Sequence, residues 1–118
     1  MSLDLGNVTF DCEDPLKVAG FWSSALGRPV KEGSSEFFAG IEGGDGRPNM
    51  LFLKVPEPKT VKNRVHLDLE ADDRETEVER LVGLGATKVA EKDEWGVRWT
   101  VMADVEGNEF CVAQKGSH

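Results

Sequence analysis

Val65-His66-Leu67-Asp68-Leu69-Glu70-Ala71-Asp72-Asp73 is the stretch on which the reading of this chain turns. Val65, Leu67, Leu69 and Ala71 alternate with His66, Asp68 and Glu70. The alternation predicts a half-buried strand with one apolar face and one face of titratable groups, running into a helix start. An ordinary surface strand would also carry polar groups outward, so alternation alone does not make a site. A second copy adds weight. In Asn7-Val8-Thr9-Phe10-Asp11-Cys12-Glu13-Asp14, Val8, Phe10 and Cys12 share one face and Asn7, Thr9 and Asp11 the other. Aligning Asp14 with Asp73 sets Asn7 on His66, Thr9 on Asp68 and Asp11 on Glu70.

Both strands lead into predicted helices. Asp14-Pro15 supplies an N-cap followed by proline at the first helical position, and Leu16, Ala19, Trp22 and Leu26 recur at helical spacing up to Gly27. In the second copy Asp72 or Asp73 can cap, and Glu75 lies at capping-box distance from Asp72. Val78, Leu81 and Val82 form the apolar stripe, and Leu84-Gly85 ends the helix. Asp72 to Glu79 otherwise reads as a solvated charged face. Glu36 to Ile41 and Asn49 to Val55 are predicted strands separated by a Gly43-Gly44-Asp45-Gly46 turn. After the second helix, Ala86 to Ala90 is extended. Turns at Asp93-Glu94-Trp95-Gly96 and Asp104-Val105-Glu106-Gly107-Asn108 flank a strand from Val97 to Ala103, and the last strand runs from Glu109 to Gln114.

The order of elements repeats. His66 follows Asn7 by 59 positions and Gly85 follows Gly27 by 58, so each half is a β-α-β-β-β module. Module 1 spans about 5–55 and module 2 about 64–115, with the proline-containing connector 56–63 between them, all within one α+β domain of 118 residues.

With 22 acidic and 14 basic side chains the chain carries a net charge of −8 and shows no Lys/Arg cluster, which argues against a nucleic-acid partner. No apolar run is long enough to span a membrane. Cys12 and Cys111 could pair, but one possible bridge is not a disulfide framework, and the N-terminus does not read as a signal peptide. The expectation is a cytoplasmic protein. Met1 to Leu3 and Gly116 to His118 are given no functional weight.

The paired modules, the Phe21-Trp22-Ser23-Ser24-Ala25-Leu26-Gly27 segment, the Arg64 to Leu69 strand, Leu84-Gly85-Ala86-Thr87 and the terminal Asp104 to Val112 segment resemble the glyoxalase / bleomycin-resistance / extradiol-dioxygenase (vicinal oxygen chelate) superfamily, in its glyoxalase-like subgroup. Val105 stands where that family's Asp-Pro-x-Gly-Asn turn has proline. The resemblance implies two tandem βαβββ modules whose curved mixed sheets surround a central cavity, with the helices outside. It also implies that metal-using members draw ligands from the first and last strands of each module, usually His, Glu or Gln. Carried over, those positions are Asn7, Phe52 (with Asn49 placed on Asn108), His66 and Cys111. Only His66 is a familiar ligand of the family. Asn is a poor one, Phe none, and a zinc site needs at least three protein ligands. Lys54, on the strand face of Phe52, would add a competing positive charge, while Asp68 or Glu70 could substitute as ligands but lie further along the His66 strand. No metal or other cofactor is therefore expected, and a divalent metal is kept only as an alternative.

What remains is a carboxylate-rich wall. The candidate ligand-binding residues are Asn7, Asp11, Phe52, His66, Asp68, Glu70, Glu109 and Cys111, and no catalytic residue is assigned. Carboxylates crowded in a poorly solvated cleft repel, so at least one should titrate above its usual range, and a ligand bearing a cationic or hydrogen-donating group would relieve the repulsion. The plainer readings are a hydrogen-bonded His66 without catalytic role, an inert buried Cys111, core roles for Cys12, Trp22 and Trp99, and Trp95 either closing over a ligand or covering the sheet end. Three functions follow. The first is a metal-independent small-molecule-binding protein of glyoxalase/bleomycin-resistance type. The second is a lyase, isomerase or dioxygenase with a divalent metal on His66. The third is a non-catalytic regulatory or interaction domain. Eight short strands in open sheets would leave edges that a homodimer could cover.

Overall fold

In a computed structural model of the protein the residues described are 2–116; Met1, Ser117 and His118, given no functional weight above, lie outside them. The chain divides between Pro58 and Lys59 into two compact units, a boundary inside the expected connector. Each unit is one module.

The first module runs β1 (Asn7–Cys12), α1 (Pro15–Leu26), β2 (Phe38–Ile41) and β3 (Asn49–Lys54). Its mixed sheet has the order β1-β3-β2, with β1 parallel to β3 and β2 antiparallel to it. Helix α1 starts as its sequence predicts. The Asp14 carboxylate accepts from the Lys17 N–H at 3.2 Å, Pro15 opens the first turn, and Gly27 closes the helix at φ 68°. The buried stripe is Pro15, Val18, Ala19, Phe21 and Trp22. Leu16 and Leu26, expected in that stripe, are exposed, because Val18, Ala19 and Trp22 set the axis of the apolar face and both leucines fall beside it. Trp22 packs on Phe10 at 5.7 Å between ring centroids, and Phe10 on Phe52 at 5.3 Å. These rings, with Ala39, Ile41 and Met50, are the core of the module.

The second module runs β4 (Leu67–Ala71), α2 (Arg74–Gly83), β5 (Thr87–Glu94), β6 (Val97–Ala103) and β7 (Glu109–Gln114). The order is β4-β7-β6-β5, with β4 and β7 parallel and the other pairs antiparallel. Thus β4, α2, β6 and β7 repeat β1, α1, β2 and β3. The counterpart of β5 in module 1 is a lone bridge between Val30 and Ile41, so the described residues form seven strands where eight were expected. Pro29 lacks an N–H to extend that ladder, and Gly33 turns the chain away at φ 85°.

Asp73, not Asp72, caps α2. Its carboxylate accepts from the Thr76 N–H at 3.2 Å and from the Thr76 hydroxyl at 2.9 Å. These bonds hold its pKa below the ordinary 3.8. Val78 and Leu81 bury against a sheet face carrying Ala71, Met102, Phe110 and Val112, while Val82 is exposed. The stretch expected to be a plain solvated face hides a buried charge. Arg74, at the helix position that Pro15 holds in α1, is only 6 % exposed. Its Nη1 donates to the Thr100 hydroxyl at 2.6 Å and reaches Glu91 at 3.5 Å, and its backbone N–H donates to Gln114 Oε1 at 3.0 Å. A capped helix start is thereby tied to the sheet beneath it.

Candidate functional site

In module 2 the polar face of β4 is the one turned away from α2. Leu67 and Leu69 pair with Phe110 and Val112, on the helix side, so His66, Asp68 and Glu70 share the opposite face with Glu109, Cys111 and Ala113. Trp99 and Val101 of β6 continue that face, because they pair with Ala113 and Cys111. Trp99 is therefore half-buried on the polar side rather than within the helix-facing core.

The strand pairing brings three donors together. His66 stands one residue before β4, and parallel pairing sets Asp68 directly beside Cys111. His66 Nδ1 lies 3.1 Å from Asp68 Oδ1 and 3.8 Å from Cys111 Sγ. One ligand atom from each residue falls within 4.8 Å of the other two. The sequence reading set Asp68 on the same face as His66 and kept it as a substitute ligand lying further along the strand. Two residues along a strand return to the same face, and the neighbouring β7 supplies the thiol at that level.

The chemistry is set by which nitrogen is used. Carboxylate and thiol both approach Nδ1, whereas a relay that activates a thiol needs the base to meet the nucleophile with one ring nitrogen and its orienting carboxylate with the other. The trio is thus a convergent donor set and not a nucleophilic triad. The thiol itself is held protonated: burial, then the Asp68 charge, push Cys111 up to about 11 from 9.0. Among the described residues neither cysteine is in a disulfide, and Cys12 is buried in the core of module 1 as expected.

Glu109 shares the face but has its own partners. Lys62 Nζ donates to both its carboxylate oxygens at 3.1 Å and the Asn63 N–H to one of them at 3.3 Å. The Lys62 bond, ahead of the Asn63 bond, holds Glu109 below its ordinary value. Glu109, one of the carboxylates expected to crowd, thus moves down rather than up, because it has a lysine partner. Lys62 and Asn63, in the connector, were not recognised as site neighbours because nothing in Val61-Lys62-Asn63 marks a strand or a motif.

The turn that delivers Glu109 and Cys111 is stiffly built. Asp104, buried at 3 % exposure, accepts through Oδ1 from the N–H groups of Glu106 and Asn108, both at 2.9 Å. Its own N–H donates to the Asn108 carbonyl at 2.8 Å, and Gly107 completes the turn at φ 90°. The side-chain bonds close this turn with Val105 where the family pattern has proline.

Module 1 presents a corresponding face with different chemistry. Asn7, Thr9 and Asp11 are exposed on β1, opposite the side that meets α1, and Asn49 Nδ2 donates to Asn7 Oδ1 at 3.3 Å. Phe52 is absent from this face. It pairs with Phe10, is fully buried, and packs in the ring cluster under α1. The pairing explains the misplacement: Asn7 meets Asn49 as Leu67 meets Phe110 one step on, so Phe52 corresponds to Val112 and Leu51 to Cys111. The alignment of Asn49 with Asn108 was one residue out of step, and one residue reverses the face of a strand. Lys54 directs its ammonium to the Glu13 carbonyl at 2.9 Å.

A sequence profile of the glyoxalase-like domain matches residues 7–113. The chain belongs to the glyoxalase-like domain family. Solved structures agree on the fold of this glyoxalase-like chain. A glyoxalase/bleomycin resistance protein/dioxygenase family enzyme from Burkholderia phytofirmans PsJN superposes with a TM-score of 0.79 at 21 % identity, over 95 % of this chain and 98 % of that one. The fosfomycin resistance protein FosX from Listeria monocytogenes, complexed with Mn(II) and a dihydroxypropylphosphonic acid, gives 0.76 at 13 % identity, over 96 % and 90 %. Lactoylglutathione lyase from Agrobacterium tumefaciens gives 0.68 at 14 % identity, over 95 % and 93 %. Comparison with curated proteins finds no match.

The Mn(II) in the FosX structure can be tested against the donors of the glyoxalase-like chain. A ligand set spread over both modules does not fit: Asn7 is a weak amide donor, the family's last-strand position in module 1 falls on Leu51 or on the buried Phe52, and neither coordinates.

Proposed function

We propose that this glyoxalase-like protein binds a small molecule on the sheet face of module 2 that carries His66, Asp68, Glu70, Glu109 and Cys111. The observation that carries the reading is the pairing of Asp68 with Cys111, which gathers an imidazole, a carboxylate and a thiol at one level of the sheet. Such a face offers acceptors in excess of donors. A ligand with an ammonium, a guanidinium or several hydroxyls satisfies Asp68 and Glu70 without stranding a charge, whereas an anion must approach against a chain of net charge −8. Asn7 and Asp11, on the equivalent face of module 1, are a second set of candidate contacts of the same acceptor-rich kind. Phe52 is withdrawn from the set. A homodimer belongs to the same proposal: β5 and β4 are the edges of the second sheet, and pairing an edge with a second copy covers it.

The test is isothermal titration calorimetry of the metal-free protein against matched cationic, polyol and anionic ligands on one scaffold. Tighter binding of the amine or polyol, weakened at least about tenfold by Asp68→Asn, is expected. Tighter binding of the anion, or an affinity indifferent to Asp68→Asn, overturns the reading.

A further inference from the structure

We infer that Trp99, Ala113 and Glu70 form a subsite for a methylated ammonium group, the head of a small quaternary amine, on the sheet face of module 2. This rests on the ligand face proposed above and names the class of cation that the face takes. It gives a role to a tryptophan that the helix-facing core does not use, and it lies one row along the sheet from Asp68 and Cys111.

Strand pairing sets the three side chains in one row. Glu70 of β4 pairs with Ala113 of β7, and Ala113 pairs with Trp99 of β6, so all three lie on the face turned away from α2. Neighbouring strands are about 4.8 Å apart, which puts the carboxylate and indole positions roughly 10 Å apart with only a methyl group between them. A cation seated over Ala113 is within reach of both, since an indole face attracts a cation out to about 6 Å from the ring centroid. Neither flanking group is engaged elsewhere. Among the described residues the exposed Glu70 carboxylate makes no ion pair or hydrogen bond, and the half-buried Trp99 meets no other ring. In module 1, by contrast, Phe10, Trp22 and Phe52 pack on one another. Val97 and Val101, half-buried on either side of Trp99 along β6, give the notch apolar walls. Of the chain's own cations, Lys92 stands beyond Trp99 on β5 and Lys115 is drawn toward Asp72 at 3.9 Å. A primary ammonium is strongly hydrated and gains little from such surroundings. Methylation wraps the charge in an apolar shell that costs less to desolvate and that lies against the indole and Ala113, while Glu70 balances the charge.

Titration with three probes of similar size tests this: choline, ethanolamine, and dimethylbutanol, the neutral isostere in which carbon replaces the nitrogen of choline. By calorimetry choline should bind at least about fivefold tighter than either of the others. By proton–nitrogen NMR the Trp99 indole signal, assigned by its loss in Trp99→Leu, should shift with choline, while that of Trp22, buried in module 1, should not. Trp99→Leu should remove the advantage of choline over the neutral alcohol, and Trp99→Phe should keep part of it. Glu70→Gln, at an exposed position, should weaken choline and leave the alcohol unchanged. Choline binding that needs Trp99 and Glu70 but ignores Asp68→Asn supports the subsite and removes Asp68 from the ligand face. Absence of choline binding, equal binding of choline and the alcohol, or a choline affinity unmoved by both Trp99→Leu and Glu70→Gln overturns the subsite. Ethanolamine binding that depends on Asp68, with no preference for choline, overturns the subsite and leaves the ligand face standing. Tighter binding of glycolate than of either cation overturns both.

Discussion

Phe52 shows how much rests on a single residue's strand register. Its ring is fully buried and meets Phe10 at 5.3 Å, inside the cluster that joins β1, β3 and α1. Phe52→Ala should cost about 3–5 kcal/mol by removing buried surface and leaving a cavity. Chemical denaturation would read this as a lower midpoint at constant slope. A residue on an open ligand face would cost far less, so the measurement also decides between the two placements. Cys111 makes the converse point. It sits one position away in the equivalent strand, on the opposite face, where the sheet presents it to His66 and Asp68. One residue of register separates a core ring from a donor atom.

At the scale of elements, one helix start and one hairpin turn carry predictions. Asp73 caps α2 through Thr76, and its pKa lies below 3.8 in the folded protein. A native pKa below the unfolded one means that the folded state binds the proton less tightly. The cap therefore stabilises above the ordinary value and loses its contribution as the pH falls through the lowered one. The difference in melting temperature between the wild type and Asp73→Ala should be present at pH 6 and close as the pH is taken well below 3.8. A difference unchanged in acid would show that charge plays no part in the cap. The β5–β6 hairpin closes on Trp95 and Gly96 alone, with both residues at positive φ, 54° and 75°. Tryptophan is poorly suited to that backbone and is 86 % exposed there. Trp95→Asn should stabilise by about 1 kcal/mol, seen as a raised melting temperature. A loss of stability would mean that the indole packs on something that its exposure conceals.

At the scale of the whole molecule, two copies of one β-α-β-β-β plan have drifted toward different chemistry. Module 1 presents amides, a hydroxyl and one carboxylate where module 2 presents imidazole, three carboxylates and a thiol. The sheet edges bear on assembly. Light scattering on the eluted protein should give a mass near twice 13.0 kDa, and a monomer mass at all concentrations would remove the dimer from the proposal. No described helix is long and apolar enough to cross a membrane.

Alternation in 65–73 and 7–14, the Asp-Pro and Asp caps, and the glycines after each helix determined the element order and the family by themselves, because each is a local preference of backbone and side chain. Only the tertiary structure decided three things. It placed Arg74 beneath α2, where a charge run predicts solvent, because Thr100 of β6 supplies a partner that lies far away in sequence. It moved Phe52 off the polar face, because pairing with β1 and not the length of a turn sets register. And it brought Cys111 beside Asp68 and His66, because parallel strands align residues that the sequence separates by forty-odd positions. Contacts of that kind are set by which strands pair and in what register, and no local pattern encodes them.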